Sequence, residues 1–173
     1  MNAPKLTANT LNYVNCPRNS RGTEMTEQYK VPRWQDRILQ DDGRLHGVIV
    51  GCRRADGRWL LIRRSANVLA PHKVSFPGGG IDHQETQAET AIREMQEELS
   101  AKIRPVACVW HSESPDKPLT LWGWYAELLN SNLVARPSEV AEILWLLPDE
   151  IRHHPDILPD TDKFLKSLLD QVE

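Results

Sequence analysis

Residues 77–98, which read PGGGIDHQETQAETAIREMQEE, decide the fold of this chain. Three consecutive glycines stand directly before a segment whose apolar residues recur every three or four positions, the spacing of one buried helix face. This spacing predicts a helix that begins near Thr86. Because glycine adopts backbone conformations closed to other residues, the triplet predicts a turn at residues 78–80. The core face of the predicted helix consists of Ala88, Ala91, Ile92, Met95 and Leu99.

Three glutamates lie beside this apolar stripe. At about 100° per residue, Glu94, Glu97 and Glu98 fall within an arc of roughly 100° on the predicted helix. Like charges at such close range destabilise the fold unless a divalent cation binds among their oxygens. Oxygen ligands suit Mg²⁺ or Mn²⁺, whereas zinc favours histidine or cysteine. We therefore predict a Mg²⁺ or Mn²⁺ site, with the Gly78 carbonyl as a further ligand; a solvated helix face is the alternative.

The spacing of this stretch resembles a known signature. Gly79 is followed after five residues by Glu85 and, after a further seven, by residues 93–98, which read REMQEE. This pattern resembles the signature of the Nudix hydrolases. The resemblance implies an α/β fold over residues 44–171, an α/β/α sandwich with a mixed β-sheet, and an enzyme that hydrolyses phosphoric anhydride bonds. Ser100 replaces the glycine that ends the family's helix in a left-handed conformation, so we expect a cost of about 1 kcal/mol there.

The resemblance also implies roles for individual residues. The metal ligands would be Gly78, Glu94, Glu97 and Glu98, and the catalytic residues would be Arg93, Glu97, Glu98 and Glu142. The general base is either one of the ligand glutamates or a separate loop glutamate, for which Glu139 and Glu142 are candidates and Glu142 is favoured. Arg93 is expected to pair with Glu85, which together with Gly79 supports the ligand carboxylates.

The implied activity is Mg²⁺-dependent pyrophosphohydrolysis of a nucleoside diphosphate linked to another moiety. Such substrates include nucleoside triphosphates, oxidised ones among them, and other nucleotide derivatives. The candidate substrate contacts are Arg63, Arg64 and Lys73 for phosphate, Trp122 for stacking on a base, and Asp160, by resemblance to nucleotide-cleaving relatives, for a purine. Surface charge and core packing are the alternatives for these side chains.

Two other functions stay open. The segment RRSANVLAPHKVSFPGGG at residues 63–80 is similar to one in coenzyme A diphosphatases, although Ile62 replaces a threonine of their pattern. A non-catalytic ligand-binding module of the same fold is the alternative from another class. Such modules often lose motif glutamates, whereas this chain keeps them.

The remaining sequence predicts one strand-rich α/β domain. Residues 45–54 and 58–64 are predicted strands joined by a hairpin turn at 55–57. Further strands are predicted at 74–76, 102–110, 119–128 and 142–147, a helix start at 148–150, and a C-terminal helix that buries Phe164, Leu165, Leu168 and Leu169. Residues 1–30 are polar and lack periodicity, so they are predicted to be a disordered extension, with a single domain at 31–173.

Composition argues against several function classes. The net charge of −3, with no basic stripe, argues against a nucleic-acid partner and leaves a small phosphoanhydride molecule as the expected partner. The sequence contains no run of about 18 apolar residues, so it predicts no membrane-spanning helix. Cys16, Cys52 and Cys108 lack metal-ligand spacing and cannot all form disulfides with one another, which favours a reducing cytoplasm. Monomer and homodimer both stay open.

Overall fold

The computed structural model describes residues 40–82 and 84–172. Within these residues the strands are β1 (Leu45–Cys52), β2 (Trp59–Arg64), β3 (Val74–Ser75), β4 (Gly78–Gly80), β5 (Ile103–Glu113), β6 (Leu119–Leu128) and β7 (Val140–Leu146). The helices are α1 (Gln87–Leu99), α2 (Pro148–Arg152) and α3 (Thr161–Val172). None of the helices in this part of the chain is long and apolar enough to cross a lipid bilayer. The predicted extension at 1–30, with Cys16, lies outside the described residues.

The strands form a layer between two groups of helices. One sheet has the order β4-β1-β6-β5, in which β1 runs parallel to β6 and antiparallel to β4; the other is antiparallel, in the order β3-β2-β7. Along β2, Leu60 and Ile62 pack in one apolar cluster with α1, whereas Trp59 and Leu61 pack in a second cluster with α2 and α3. This alternation is that of a strand buried on both faces. The expected α/β/α sandwich with mixed strand pairing is confirmed.

Helix α1 begins and ends where the sequence predicts. Thr86 is its N-cap: the Thr86 hydroxyl accepts a hydrogen bond from the Glu89 N–H, and the Glu89 carboxylate accepts one from the Thr86 N–H. This reciprocal pair satisfies two donors that a helix start leaves unpaired. At the other end, Ser100 adopts the left-handed conformation, with φ 51° and ψ 28°. The sequence-based expectation for both ends is confirmed.

The predicted core face of α1 needs one correction. Ile92 is 45% exposed, although Ala91, Met95 and Leu99 are fully buried as expected and Ala88 is partly buried. The buried polar residues of the helix are Thr90, Glu94 and Glu98, spaced four apart. Strand β4 packs against this row, with Glu98 hydrogen-bonded to Gly78. Contact with β4 therefore turns the buried side of the helix toward the glutamates and away from Ile92.

Two predicted local features also differ in the structure. The turn at 55–57 exists, with Gly57 at φ 87° and the Arg54 N–H donating to the Arg58 carbonyl, but β1 and β2 do not continue as a hairpin. The two edges of β1 pair with β4 and β6, while those of β2 pair with β3 and β7. Residues 78–80, predicted as a turn, form β4 along the edge of β1. The other predicted strands and helices are present at similar bounds.

Candidate active site

The glycines of β4 lie closer to their neighbours than residues with a side chain could. Gly78 has φ 142°, and a Cβ there would lie 2.0 Å from the Val48 carbonyl oxygen. A Cβ on Gly79 would lie 2.1–2.3 Å from the carboxylate atoms of Glu94. The glycines therefore allow the main chain of β4 to meet a carboxylate of α1 directly.

Glu94 and Glu98 are both buried beside this strand. Their exposed fractions are 6% and 5%, and the Gly78 N–H donates to Oε2 of Glu98 over 2.9 Å. Burial raises the pKa of Glu98 to about 8; the charge of Glu94 adds to the rise, and the hydrogen bond from Gly78 opposes it. Burying like charges costs stability, and carboxyls perturbed in this way are concentrated in functional sites.

Arg93 ties α1 to the residues before it. Its Nε donates to Glu85 Oε1 over 2.7 Å, and its Nη2 donates to Glu85 Oε2 and to the Gly80 carbonyl, both over 2.9 Å. Its Nη1 donates to Glu94 Oε1 over 3.0 Å. These contacts lower the pKa of Glu85 and raise that of Arg93. The expected contact between Arg93 and Glu85 is present, and it fixes one carboxylate oxygen of Glu94 next to β4.

Thr90 supports the same pair, a role that sequence reasoning missed. It is fully buried, and its Oγ1 donates to Glu85 Oε2 over 3.0 Å. Thr90 stands four residues before Glu94 and eight before Glu98. A polar row at this spacing runs along one helix face, so the row is the sequence signal that could have revealed it.

Glu97, the third motif glutamate, points outward. Its side chain is 44% exposed, and its Oε2 lies 3.6 Å from Arg93 Nη1. Among residues 40–82 and 84–172, no group of three or more His, Cys, Asp or Glu side chains is gathered closely enough to hold a metal ion. The donor chemistry nevertheless fits a hard divalent cation, because Glu94 and Glu98 supply carboxylate oxygens beside the main chain of β4. Ligation by Gly78, Glu94, Glu97 and Glu98 stays a prediction.

The two candidate base glutamates have different surroundings: Glu139 directly precedes β7, whereas Glu142, expected in a loop, lies within that strand. Glu142 pairs in register with Arg63, and its Oε2 lies 3.1 Å from the Arg63 Nε. Arg63 stands two positions after Leu61 on β2, so both side chains lie on the sheet face that packs against α3. Glu139 instead belongs to a segment tied to α1, because its N–H donates to the Arg136 carbonyl and the Arg136 N–H donates to the Glu98 carbonyl over 2.8 Å. The Glu139 carboxylate lies 3.2 Å from Arg136 Nη1, and its charge contributes to the raised pKa of Glu98. This placement favours Glu139 over Glu142 as a glutamate that works beside Glu98.

The predicted phosphate-binding cations separate in the same way. Arg63 Nη1 lies 3.0 Å from Asp156 Oδ2, and Lys73 Nζ lies 4.0 Å from Asp156 Oδ1, so both face an acidic partner. Arg64, the next residue on β2, faces the α1 side of the sheet, and its charge opposes the rise in the pKa of Glu98. Of the three cations, Arg64 is therefore the one on the sheet face that packs against α1.

Trp122 and Asp160 have local partners of their own. The Trp122 Nε1 donates to His46 Nδ1 over 3.1 Å, and the Trp122 ring stacks on His111 with 5.0 Å between centroids. Asp160 has φ 65° directly before α3, and its carboxylate lies 2.6 Å from Lys163 Nζ. Contact of either residue with a base stays a prediction.

Sequence relatives agree with this architecture. The chain is 34% identical over 83 residues to the 8-oxo-dGTP diphosphatase of Escherichia coli (strain K12), an alignment that covers 46% of this chain and 64% of that one. It is 32% identical over 121 residues to the uncharacterized Nudix hydrolase orf19 of Rhodococcus erythropolis, with 62% and 64% covered. The matched region thus spans just under two thirds of the length of these curated relatives.

Solved structures and a family model extend the match. The fold is similar to that of the MutT protein from Methanosarcina mazei Go1, with a TM-score of 0.64 and 19% identity over 75% of this chain and 96% of that one. A model of the NUDIX domain matches residues 43–168, which include strands β1 to β7 and the glutamate helix α1. The chain therefore belongs to the Nudix family.

Proposed function

We propose that this chain is a divalent-metal-dependent pyrophosphohydrolase that cleaves a phosphoric anhydride bond of a nucleotide. The observation that carries the proposal is the buried pair of carboxylates, Glu94 and Glu98, held against the glycine strand by Arg93 and Gly78. Two like charges in one buried place destabilise the fold. A cation between them offsets that repulsion, and such cations accompany phosphate substrates into enzyme sites.

The chain's own residues have separate tasks in this proposal. Glu94, Glu97, Glu98 and the Gly78 carbonyl would hold Mg²⁺ or Mn²⁺, which would neutralise phosphate charge and stabilise the leaving group. Arg93 keeps Glu94 in position through its 3.0 Å hydrogen bond, and the Gly78 N–H orients Glu98. Glu97, whose side chain is 44% exposed, would turn toward the other two when the cation binds. Arg64 would bind a non-bridging phosphate oxygen by a charge-assisted hydrogen bond.

We assign Glu139 as the group that removes a proton from the attacking water. Its carboxylate is partly exposed and lies 3.2 Å from Arg136 Nη1, and the Arg136 N–H donates to the Glu98 carbonyl over 2.8 Å. Its carbonyl accepts a hydrogen bond from the Ser65 N–H over 2.9 Å, which fixes this segment to the end of β2. We expect Glu139→Gln to lower kcat by at least about 100-fold, and Glu142→Gln to leave kcat within about two-fold of wild type. A loss confined to Glu142→Gln would contradict the assignment.

Nucleoside triphosphates, oxidised ones included, and other nucleoside diphosphate derivatives are the proposed substrates. The supporting observations are the similarity to a protein named 8-oxo-dGTP diphosphatase and the cationic Arg64 on the sheet face that packs against α1. Coenzyme A hydrolysis and a non-catalytic ligand-binding role are the competing functions, and the assay below separates them.

The test is a hydrolysis panel with a matched pair of variants. The purified protein is incubated with Mg²⁺ or Mn²⁺ and dGTP, 8-oxo-dGTP, ADP-ribose, NADH, a diadenosine polyphosphate or coenzyme A, and the products are resolved by chromatography. Glu98→Gln removes a buried site carboxylate, and Glu127→Gln removes an exposed one on β6. Metal-dependent nucleotide cleavage by wild type and Glu127→Gln, lost in Glu98→Gln, supports the proposal. A folded protein that cleaves no nucleotide contradicts it, and binding without cleavage would favour the ligand-binding role.

A further inference from the structure

The loop between β2 and β3, residues 65–73, is held by the arginine of the proposed phosphate site. Nε of Arg64 donates to the Leu69 carbonyl over 2.6 Å. The Arg64 N–H donates to the Lys73 carbonyl over 2.9 Å, and the Arg64 carbonyl accepts from the His72 N–H over 3.1 Å. Arg64 shares a sheet face with Ile62, which packs against α1, so the bonds that close this loop are made on the side of the sheet where the buried glutamates lie.

The start of the loop is fixed to the segment of the proposed base. The Ser65 Oγ donates to the Ser138 carbonyl over 2.7 Å, and the Ser65 N–H donates to the Glu139 carbonyl over 2.9 Å. Ser65 is itself buried. The same segment is tied to the buried glutamates, because the Glu139 N–H donates to the Arg136 carbonyl and the Arg136 N–H donates to the Glu98 carbonyl over 2.8 Å.

The loop presents an apolar side chain at a strained turn. Ala70 and His72 have φ values of 52° and 63°, the left-handed region, which is unfavourable for residues other than glycine. Leu69, directly before Ala70, is 50% exposed. An exposed leucine alone is common on protein surfaces. Here its own carbonyl binds the site arginine and its neighbour is strained, and strain of this kind is typical of ligand-binding segments.

We infer that Leu69 contacts the nucleoside part of the substrate and helps to select it. The inference rests on the proposed function. Because Arg64 would bind phosphate and also holds the Leu69 carbonyl, the group attached to that phosphate would come within reach of the Leu69 side chain. An apolar side chain suits the faces of a sugar and a base and contributes nothing to phosphate binding.

The test compares two exposed leucines. Leu69→Ala and Leu129→Ala are assayed with the nucleoside triphosphate that the wild type cleaves fastest; Leu129 is 60% exposed and lies outside the loop. We expect Leu69→Ala to raise KM roughly five-fold with kcat within about two-fold, the effect of losing about half of a buried leucine. Leu129→Ala should leave both unchanged. Inorganic tripolyphosphate, which lacks a nucleoside, should inhibit both variants as strongly as it inhibits the wild type.

Three results would overturn the inference. The first is an unchanged KM in Leu69→Ala. The second is that tripolyphosphate inhibits Leu69→Ala more weakly than wild type, by the same factor as KM rises, since the phosphate site would then have been disturbed. The third is a melting temperature of Leu69→Ala more than about 3 °C below wild type, which would mark Leu69 as a structural residue. Leu69→Met replaces leucine by an apolar side chain of similar volume, so its KM should stay near the wild-type value. Failure of the proposed function gives a different result, because the wild type would then cleave no nucleotide.

Discussion

Replacing Glu98 by glutamine should stabilise the metal-free protein while removing its activity. Glu98 is 5% exposed and accepts a 2.9 Å hydrogen bond from the Gly78 N–H. A glutamine carbonyl oxygen can accept the same hydrogen bond, so the substitution removes a buried charge with little change of shape. Stability and catalysis are therefore expected to change in opposite directions.

The magnitude follows from the pKa of Glu98. Burial is the main cause that raises it from the ordinary value of 4.5 to about 8. The unfolded chain loses this proton near pH 4.5 and the folded chain near pH 8, so the free energy of unfolding falls as the pH rises between these values. Above pH 8 the loss is at most about 5 kcal/mol. Glutamine carries no such charge, so the stability gained by Glu98→Gln should be small near pH 5 and largest above pH 8.

Thermal unfolding with EDTA at pH 5 and pH 9 measures this gain. At pH 9, Glu98→Gln should melt at least about 4 °C above wild type, about 1 kcal/mol for a domain of this size, and at pH 5 the two should differ by less than about 2 °C. With Mg²⁺, nucleotide hydrolysis by the variant should fall by roughly 10³ or more. Glu127→Gln should change neither property. Lower stability of Glu98→Gln at pH 9 would refute the buried-charge reasoning, and retained turnover would refute the site assignment.

Three further substitutions test other parts of the site. Ser100→Gly should raise the melting temperature by about 3 °C with turnover unchanged, because glycine adopts the left-handed conformation without strain; a lower melting temperature would show that Ser100 stabilises the helix end in another way. Gly79→Ala should lower turnover at least about ten-fold in a protein whose circular dichroism is unchanged, because the new Cβ would overlap the Glu94 carboxylate; wild-type kinetics would mean that Glu94 moves aside freely. Arg64→Ala should raise KM roughly ten-fold, whereas Arg63→Ala should leave it unchanged; equal effects would refute the division of these arginines between opposite sheet faces.

Helix α1 could be predicted closely because its determinants are local. The cap at Thr86, the apolar repeat and the left-handed end at Ser100 each depend on residues within a few positions along the chain. The contact of Arg93 with Glu85 follows from the same short stretch. The exposure of Ile92 could not be predicted, because it depends on which side of the helix β4 meets.

The pairing of the strands could not be predicted either, because it also depends on distant parts of the chain. A turn at Gly57 between two apolar runs indicates a hairpin, and the turn is present. The partner of each strand edge depends instead on residues far away: β6 lies beside β1, and β7 lies beside β2. Non-local pairing of this kind leaves no signal in a short window of sequence.

The sequence by itself determined the family, the glutamate helix and a set of candidate site residues, to which the structure added Thr90. Only the tertiary structure decided which members of that set come together. Arg63 and Arg64 are adjacent in the chain, yet successive strand residues face opposite sides of a sheet, so Arg64 acts on Glu98 while Arg63 binds Glu142 and Asp156. The face that meets α1 is set by the packing of two helix layers on the strands, and this is a property of the whole chain.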